Sequence, residues 1–209
     1  MSKFIVFEGL DGTGKTTQIR LLAEYLKNKG ESVFTDVEPS GLPTGRFLRR
    51  LLAGEFPSSP WATAALFLAD RINQNTDAEN GIRTRLAAGD TVLLDRYYYS
   101  TFAYQGHATD LSWAMDIHFG CPEITRPDLT LFLTMAPEKC IARITANRAA
   151  DEMEIYETVE TLSAVSRQFD AVFNELKNRD NVVYIDADGS VEEVHERIVK
   201  AVEAAFPED

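Results

Sequence analysis

The chain is short of cysteine, short of positive charge and without any long apolar run. Its 209 residues hold two cysteines, Cys121 and Cys140, with the spacing of neither a metal site nor a disulfide framework. The fold must therefore be held by its core, and both thiols suit buried small hydrophobes in a reducing compartment. No stretch approaches the roughly 20 apolar residues that span a bilayer. Met1-Ser2-Lys3 leads straight into an apolar run, so no signal peptide is expected and the cytoplasm is the expected location. Lys and Arg number 21 against 33 Asp and Glu, a net charge of −12 and a pI near 4.7. Such a balance excludes broad binding to nucleic acid or an anionic membrane, where a basic face supplies the affinity. Any anionic substrate has to be met by a few local lysines and arginines.

What is present is ordinary for a globular chain: 44% hydrophobic and 26% charged residues. The length suits one α/β domain, 1–209, and no repeat or linker divides it. Five short apolar runs read as buried parallel strands: Phe4–Phe7, Ser32–Thr35, Thr91–Leu94, Leu129–Leu133 and Val182–Ile185. Helical patterns lie between them. Ile19, Leu22 and Leu26 repeat at helix spacing before Gly30, and Ser190 with Glu193 forms a capping box ahead of Val191, Val194, Ile198 and Val202. The alternation implies a three-layer α/β fold around a five-stranded parallel sheet. The polar stretch Thr145–Glu154 lacks apolar periodicity. It suits a lid, at about residues 143–155, or a solvated connection between helices.

The most informative segment is Phe4 to Thr17, FIVFEGLDGTGKTT. Gly9, Gly14, Lys15 and Thr16 match the phosphate-loop pattern, which here follows a strand and opens a helix. Gly9, Gly12 and Gly14 permit the tight turn that aims backbone N–H groups, those of Thr13 and Thr17 included, at a phosphate chain. Lys15 can reach the β- and γ-phosphates, Thr16 offers a hydroxyl to Mg²⁺, and the helix start adds its positive dipole end. The chain is expected to bind a nucleoside triphosphate.

In an open parallel sheet ligands bind beyond the carboxyl ends of the strands. Two further segments leave strands there: Glu38-Pro39-Ser40-Gly41, and Asp95-Arg96. Asp95 is placed to act on Mg²⁺ or its waters, or equally to cap the next helix; the adjoining Arg96 favours a joint metal and phosphate site. If Tyr97–Gly106 is helical, then Tyr97, Ser100, Thr101, Tyr104 and Gln105 share one face, which suits a nucleobase and sugar as well as it suits a packed aromatic helix. On Pro60–Asn73, Phe67 and Arg71 stand at i and i+4 and point a ring and a guanidinium at one spot. Arg49 could reach a monophosphate or be one more surface charge.

Together these residues resemble the thymidylate kinase family, through FEGLDGTGKTT, EPSGLPTGRFLRRLL, LFLADR, DRYYYSTFAYQG, RPDLTLFL and IDADGSVEEVHERI, almost end to end. The resemblance implies a P-loop nucleoside monophosphate kinase fold, ATP and Mg²⁺, dTMP as acceptor, and a homodimer touching through the helix around Trp61–Leu68. It implies that Asp11 orients the dTMP sugar and phosphate, and that Arg49 and Arg96 hold that phosphate. Phe67 would stack on thymine and Arg71 bond its exocyclic oxygen, with Glu38, Ser100, Thr101 and Gln105 close by. Tyr104 would stand where a ribose 2′-hydroxyl would lie, and Asp186–Gly189 would border adenine.

Two departures bear on catalysis. Thr35-Asp36-Val37 stands where many relatives carry an arginine before Glu-Pro. Some members also place a catalytic arginine in the phosphate loop, where this chain has Gly12. The lid has then to supply the cation from Arg148, with Arg143 on the helix before it and Glu152 near where a second arginine is often found. A GTPase would need an Asn-Lys-x-Asp pattern that is missing. Kinases of other monophosphates, and a non-catalytic nucleotide-binding regulator, are the remaining alternatives.

Overall fold

The computed structural model describes residues 2–147 and 158–207. Five parallel strands, β1 (Phe4–Gly9), β2 (Val33–Val37), β3 (Thr91–Asp95), β4 (Leu129–Thr134) and β5 (Val182–Asp186), form one sheet in the order β2-β3-β1-β4-β5. The central strands carry the apolar runs and are buried throughout β1 and β3. The edge strands β2 and β5 are not: each leaves residues half-exposed or exposed, Tyr184 among them. Every strand also runs one or two residues past its apolar run, because the carboxyl ends still pair: Val37 with Asp95, Gly9 with Leu133, Thr134 with Asp186. These extra residues bring the polar groups of the site into line.

Helices α1 (Lys15–Asn28) and α9 (Val191–Ala205) pack together, and α3 (Pro60–Thr76), α6 (Leu111–Phe119) and α8 (Val159–Leu176) pack around α5 (Tyr98–Ala108) as a second layer. Short α2 (Pro43–Leu52) and α4 (Ile82–Ala87) attach to α3, and α7 (Pro137–Asn147) attaches to α8. The expected punctuation is present. Gly30, at φ 88°, ends α1, and the box of Ser190 and Glu193 opens α9 with bonds of 2.8 and 3.1 Å. Thr145 to Asn147 belong to α7, so helix replaces the first part of the expected lid; the remainder, with Arg148 and Glu152, lies outside the described residues.

Tyr97 does not join a ligand-reading face. It sits at the N-cap of α5, fully buried, with its hydroxyl against Asn75 and Thr125 O. Tyr98 and Tyr99 lie in the core as well, and both hydroxyls donate to Asp180 Oδ2 at 2.9 Å. Arg126 Nε donates to the other oxygen of Asp180 at 2.7 Å. Burial pushes both tyrosine pKa values up, so these hydroxyls remain donors. Asp180→Ala strands the two phenols, and we expect it to lower unfolding stability in denaturant by about 3 kcal/mol with kinetic constants near wild type; an unchanged midpoint would contradict this.

Candidate active site

Residues 10–14 join β1 to α1 as a tight loop. Two glycines there are obligatory. A Cβ on Gly9 (φ 141°) would stand 2.5 Å from Leu133 O, and one on Gly12 (φ 85°) 2.5 Å from Cys140 O. The loop therefore has no room for a side chain at Gly12, let alone an arginine. Thr13 turns inward, its hydroxyl donating to Leu10 O at 2.8 Å. Lys15 Nζ donates to Gly9 O and Leu10 O at 3.0 Å and stands 3.9 Å from Asp11 Oδ1. Burial lowers the Lys15 pKa, with Arg96 acting the same way and Asp11, Asp95 and Glu8 opposing. Beside it, Thr16 Oγ1 donates to Asp95 Oδ2 at 2.8 Å, so the two expected metal-facing oxygens do meet. The loop opens onto a cleft of about 780 Å³ whose far wall holds Arg143, Gly189, Val191 and Val194. Thr17 lines the same cleft.

Arg96 is the only non-glycine with positive φ (70°) among the described residues. That conformation turns its guanidinium back across the sheet edge, where Nη2 donates to Asp11 Oδ1 at 2.5 Å and Nη1 to Ser100 Oγ at 3.0 Å. Burial works against its charge, but Asp11 and the neighbouring groups hold its pKa well above the ordinary value. Beneath it lies a residue the sequence reading passed over, Glu8 of β1. Its carboxylate accepts from the N–H groups of Tyr97 and Ser100 at 2.8 and 3.1 Å and from Ser100 Oγ at 2.7 Å, capping α5. Burial raises the Glu8 pKa and Arg96 opposes. The Tyr104 ring lies 5.7 Å from the Arg96 guanidinium.

A second cluster gathers around Arg71, fully buried on α3. Nε donates to Glu38 Oε1 at 2.9 Å, and Nη2 donates to Glu38 Oε2 and, at 3.2 Å, to Thr101 Oγ1. Nη1 meets His118 Nε2 at 2.5 Å, and the guanidinium rests over the Tyr97 ring. Burial pushes the Glu38 carboxyl up, and Arg71 pulls it back. Burial lowers the His118 pKa from 6.5 to about 3, and Arg71 adds to the effect, so the ring is neutral. The loop carrying Glu38 is fixed by Asp70, which accepts from Ser40 N at 2.7 Å, Ser40 Oγ at 2.6 Å and Thr44 Oγ1 at 2.7 Å.

Arg49 reaches the same loop, donating to Ser40 O at 2.5 Å and to Pro39 O. Phe67 is half-buried one turn before Arg71, and Gln105 is buried one turn after Thr101. Val37 is exposed and lines the cleft beside the loop, so the departure before Glu38 puts an apolar side chain there. Arg143 stands over the loop after β5, its Nη2 3.4 Å from Ala187 O and from Gly189 O. Glu8, Asp70 and His118 were missed because their partners are distant in sequence and no local spacing marks them.

The family model described as thymidylate kinase matches residues 7–198. The chain belongs to the thymidylate kinase family. It is 38% identical over 201 residues to a thymidylate kinase of Synechococcus sp. (strain JA-3-3Ab), covering 95% of this chain and 94% of that one. Identity is 36% to a thymidylate kinase of Desulfotalea psychrophila (96% and 94% covered) and 34% to one of Caldicellulosiruptor saccharolyticus (96% and 96%). With the family comes the class: the chain is a nucleoside monophosphate kinase, a phosphotransferase.

For this thymidylate kinase-family chain the neutral His118 has a sign-specific consequence. Its pKa is about 3 in the fold against 6.5 unfolded, so between those values the unfolded chain holds the proton and the fold does not. Stability is then lost as pH falls from about 6.5 towards 3. Comparing urea midpoints of the wild type and His118→Gln across that range, we expect the gap to shift in favour of the variant at low pH; parallel curves would contradict this.

Proposed function

We propose that the cleft transfers the γ-phosphoryl group of ATP to the phosphate of dTMP, giving dTDP and ADP, within the reducing cytoplasm. The observation that carries the reading is the position of Arg96, between Asp11 of the donor loop and Ser100 of α5. A cation there touches both halves of the site.

On this reading Lys15 and the loop N–H groups bind the donor phosphates, and Arg143 with the loop after β5 borders adenine. Arg96 and Arg49 hold the acceptor phosphate, and Asp11 sets the orientation of Arg96. Phe67 and Arg71 read the base, Glu38, Thr101 and Gln105 complete its surround, and Tyr104 crowds a 2′-hydroxyl. The acceptor is already anionic, so no general base is needed; orientation and neutralisation of charge supply the rate. The paired oxygens of Thr16 and Asp95 suit Mg²⁺, a hard cation held by one or two protein oxygens together with phosphates and waters. When bound, the ion supplies neutralisation of charge on the transferring group. Among the described residues no helix is long and apolar enough to cross a membrane. The exposed Trp61, edge-on to Trp113 at 4.8 Å, supports a homodimer contact at α3.

In a coupled assay with ATP and a panel of monophosphates we expect dTMP as best acceptor, dUMP weaker, and CMP and GMP poor, since leaving the buried donors and acceptors unpaired costs on the order of several kcal/mol. Equal turnover of CMP or GMP would reject the assignment.

Because Gly12 has no space for a side chain, we further propose Arg148 as the cation on the transferring phosphoryl group. Arg148→Ala is expected to lower kcat by at least about two orders of magnitude, with KM values changed far less. Arg143→Ala should be milder. Near-normal kcat in the first, with the second inactive, would reverse the assignment.

A further inference from the structure

An arginine carries five N–H donors and no acceptor. The contacts of Arg71 account for four of them: Nε–H and one Nη2–H to Glu38, the other Nη2–H to Thr101, and one Nη1–H to His118. One N–H, the second on Nη1, is left. Its direction is that of the rigid guanidinium plane, which the ring of His118 holds at the Nη1 end.

The state of this ring follows from its neighbours alone. His118 Nδ1 stands 2.7 Å from Ala114 O, a carbonyl that can only accept, so Nδ1 bears the proton. Nε2 faces Arg71, which can only donate, so Nε2 presents its lone pair. The edge of Phe102 packs at 5.2 Å and the residue is 1% exposed, so the ring has no freedom to flip away. A histidine is thus fixed as a one-sided acceptor against a cation.

We infer that His118 is a positioning residue for base specificity: by accepting one Nη1–H of Arg71 it aims the other at an exocyclic carbonyl oxygen of the acceptor base. The inference rests on the reading of Arg71 given above. Four residues from three segments meet on this guanidinium. Glu38 comes from the loop after β2, Thr101 from α5, His118 from α6 and the Tyr97 platform from the start of α5. Glu38 and Thr101 hold the planar guanidinium along its Nε–Nη2 side, and no contact of theirs braces the Nη1 end against rocking. His118 supplies the anchor at that end, and a donor held from both ends favours a carbonyl over an amino group at the same ring position.

The test uses His118→Leu, which deletes the acceptor at similar volume, His118→Gln, whose side-chain oxygen can reach the place of Nε2, and Arg71→Ala in parallel. Steady-state kinetics with dTMP and with 5-methyl-dCMP, which has an amino group in place of the carbonyl, are read beside the melting temperature. We expect His118→Leu to raise the dTMP KM about tenfold with kcat within about twofold, to shrink the preference for dTMP, and His118→Gln to recover most of both. A leucine variant that melts earlier but keeps the wild-type KM and preference would overturn the inference, leaving His118 a packing residue. If Arg71→Ala also keeps the dTMP KM, the base-reading role of Arg71 falls with it; if only Arg71→Ala loses it, the inference alone falls. Should the leucine variant fail to fold, nitrogen NMR of the wild type decides: a neutral ring protonated on Nδ1 supports the inference, and a proton on Nε2 overturns it, since that nitrogen could not then accept from Arg71.

Discussion

Glu8 is a carboxylate at the carboxyl end of a central strand, fully buried, and the donors it accepts from belong to the first turn of α5. The parallel pairing of β1 with β3 brings it there: Phe7 lies opposite Asp95 and accepts from Arg96 N at 2.9 Å, so Glu8 stands beside the point where the chain leaves β3. The chain leaving β3 has to turn at once, and it does so through the left-handed backbone of Arg96 and the N–H groups that Glu8 collects. Without that carboxylate the start of α5 would have unsatisfied donors in a site shielded from water, a penalty of about 1–3 kcal/mol each.

From this junction the charges of the site form one compensated set. Arg96 answers Glu8 and Asp11, Lys15 answers Asp11, and Thr16 holds Asp95. The surrounding protein is strongly acidic, so these cations sit in a field that already favours them. Low local polarisability strengthens each pairing and makes any lone charge costly. The arrangement is therefore preorganised, which is the condition under which fixed dipoles and charges accelerate phosphoryl transfer.

Much of this was legible in the sequence where function and local pattern coincide. The phosphate loop, the five apolar runs, the capping box at Ser190 and the Phe67–Arg71 spacing each have a local physical cause. What the sequence hid depends on distant contacts. Glu8 reads as the residue after an apolar run, and only the register of β1 on β3 shows its partners. Tyr97 reads as part of a face that suits a ligand as well as a packed core, yet the start of α5 turns it inward together with Tyr98 and Tyr99, and the latter two meet Asp180 just past α8. His118 reads as a lone helix histidine until α6 is packed against α3. The stretch of sequence beyond Asn147 carries no apolar period to read.

The central claim is that Asp11 and Arg96 act as one unit, the carboxylate setting where the guanidinium meets substrate. A double-mutant cycle on kcat/KM for dTMP, with Asp11→Asn, Arg96→Gln and the pair, tests it most directly. The account predicts strong non-additivity: once either partner is gone, removing the other adds little, giving a coupling of at least about 1 kcal/mol. Losses that add within about 0.3 kcal/mol would contradict it.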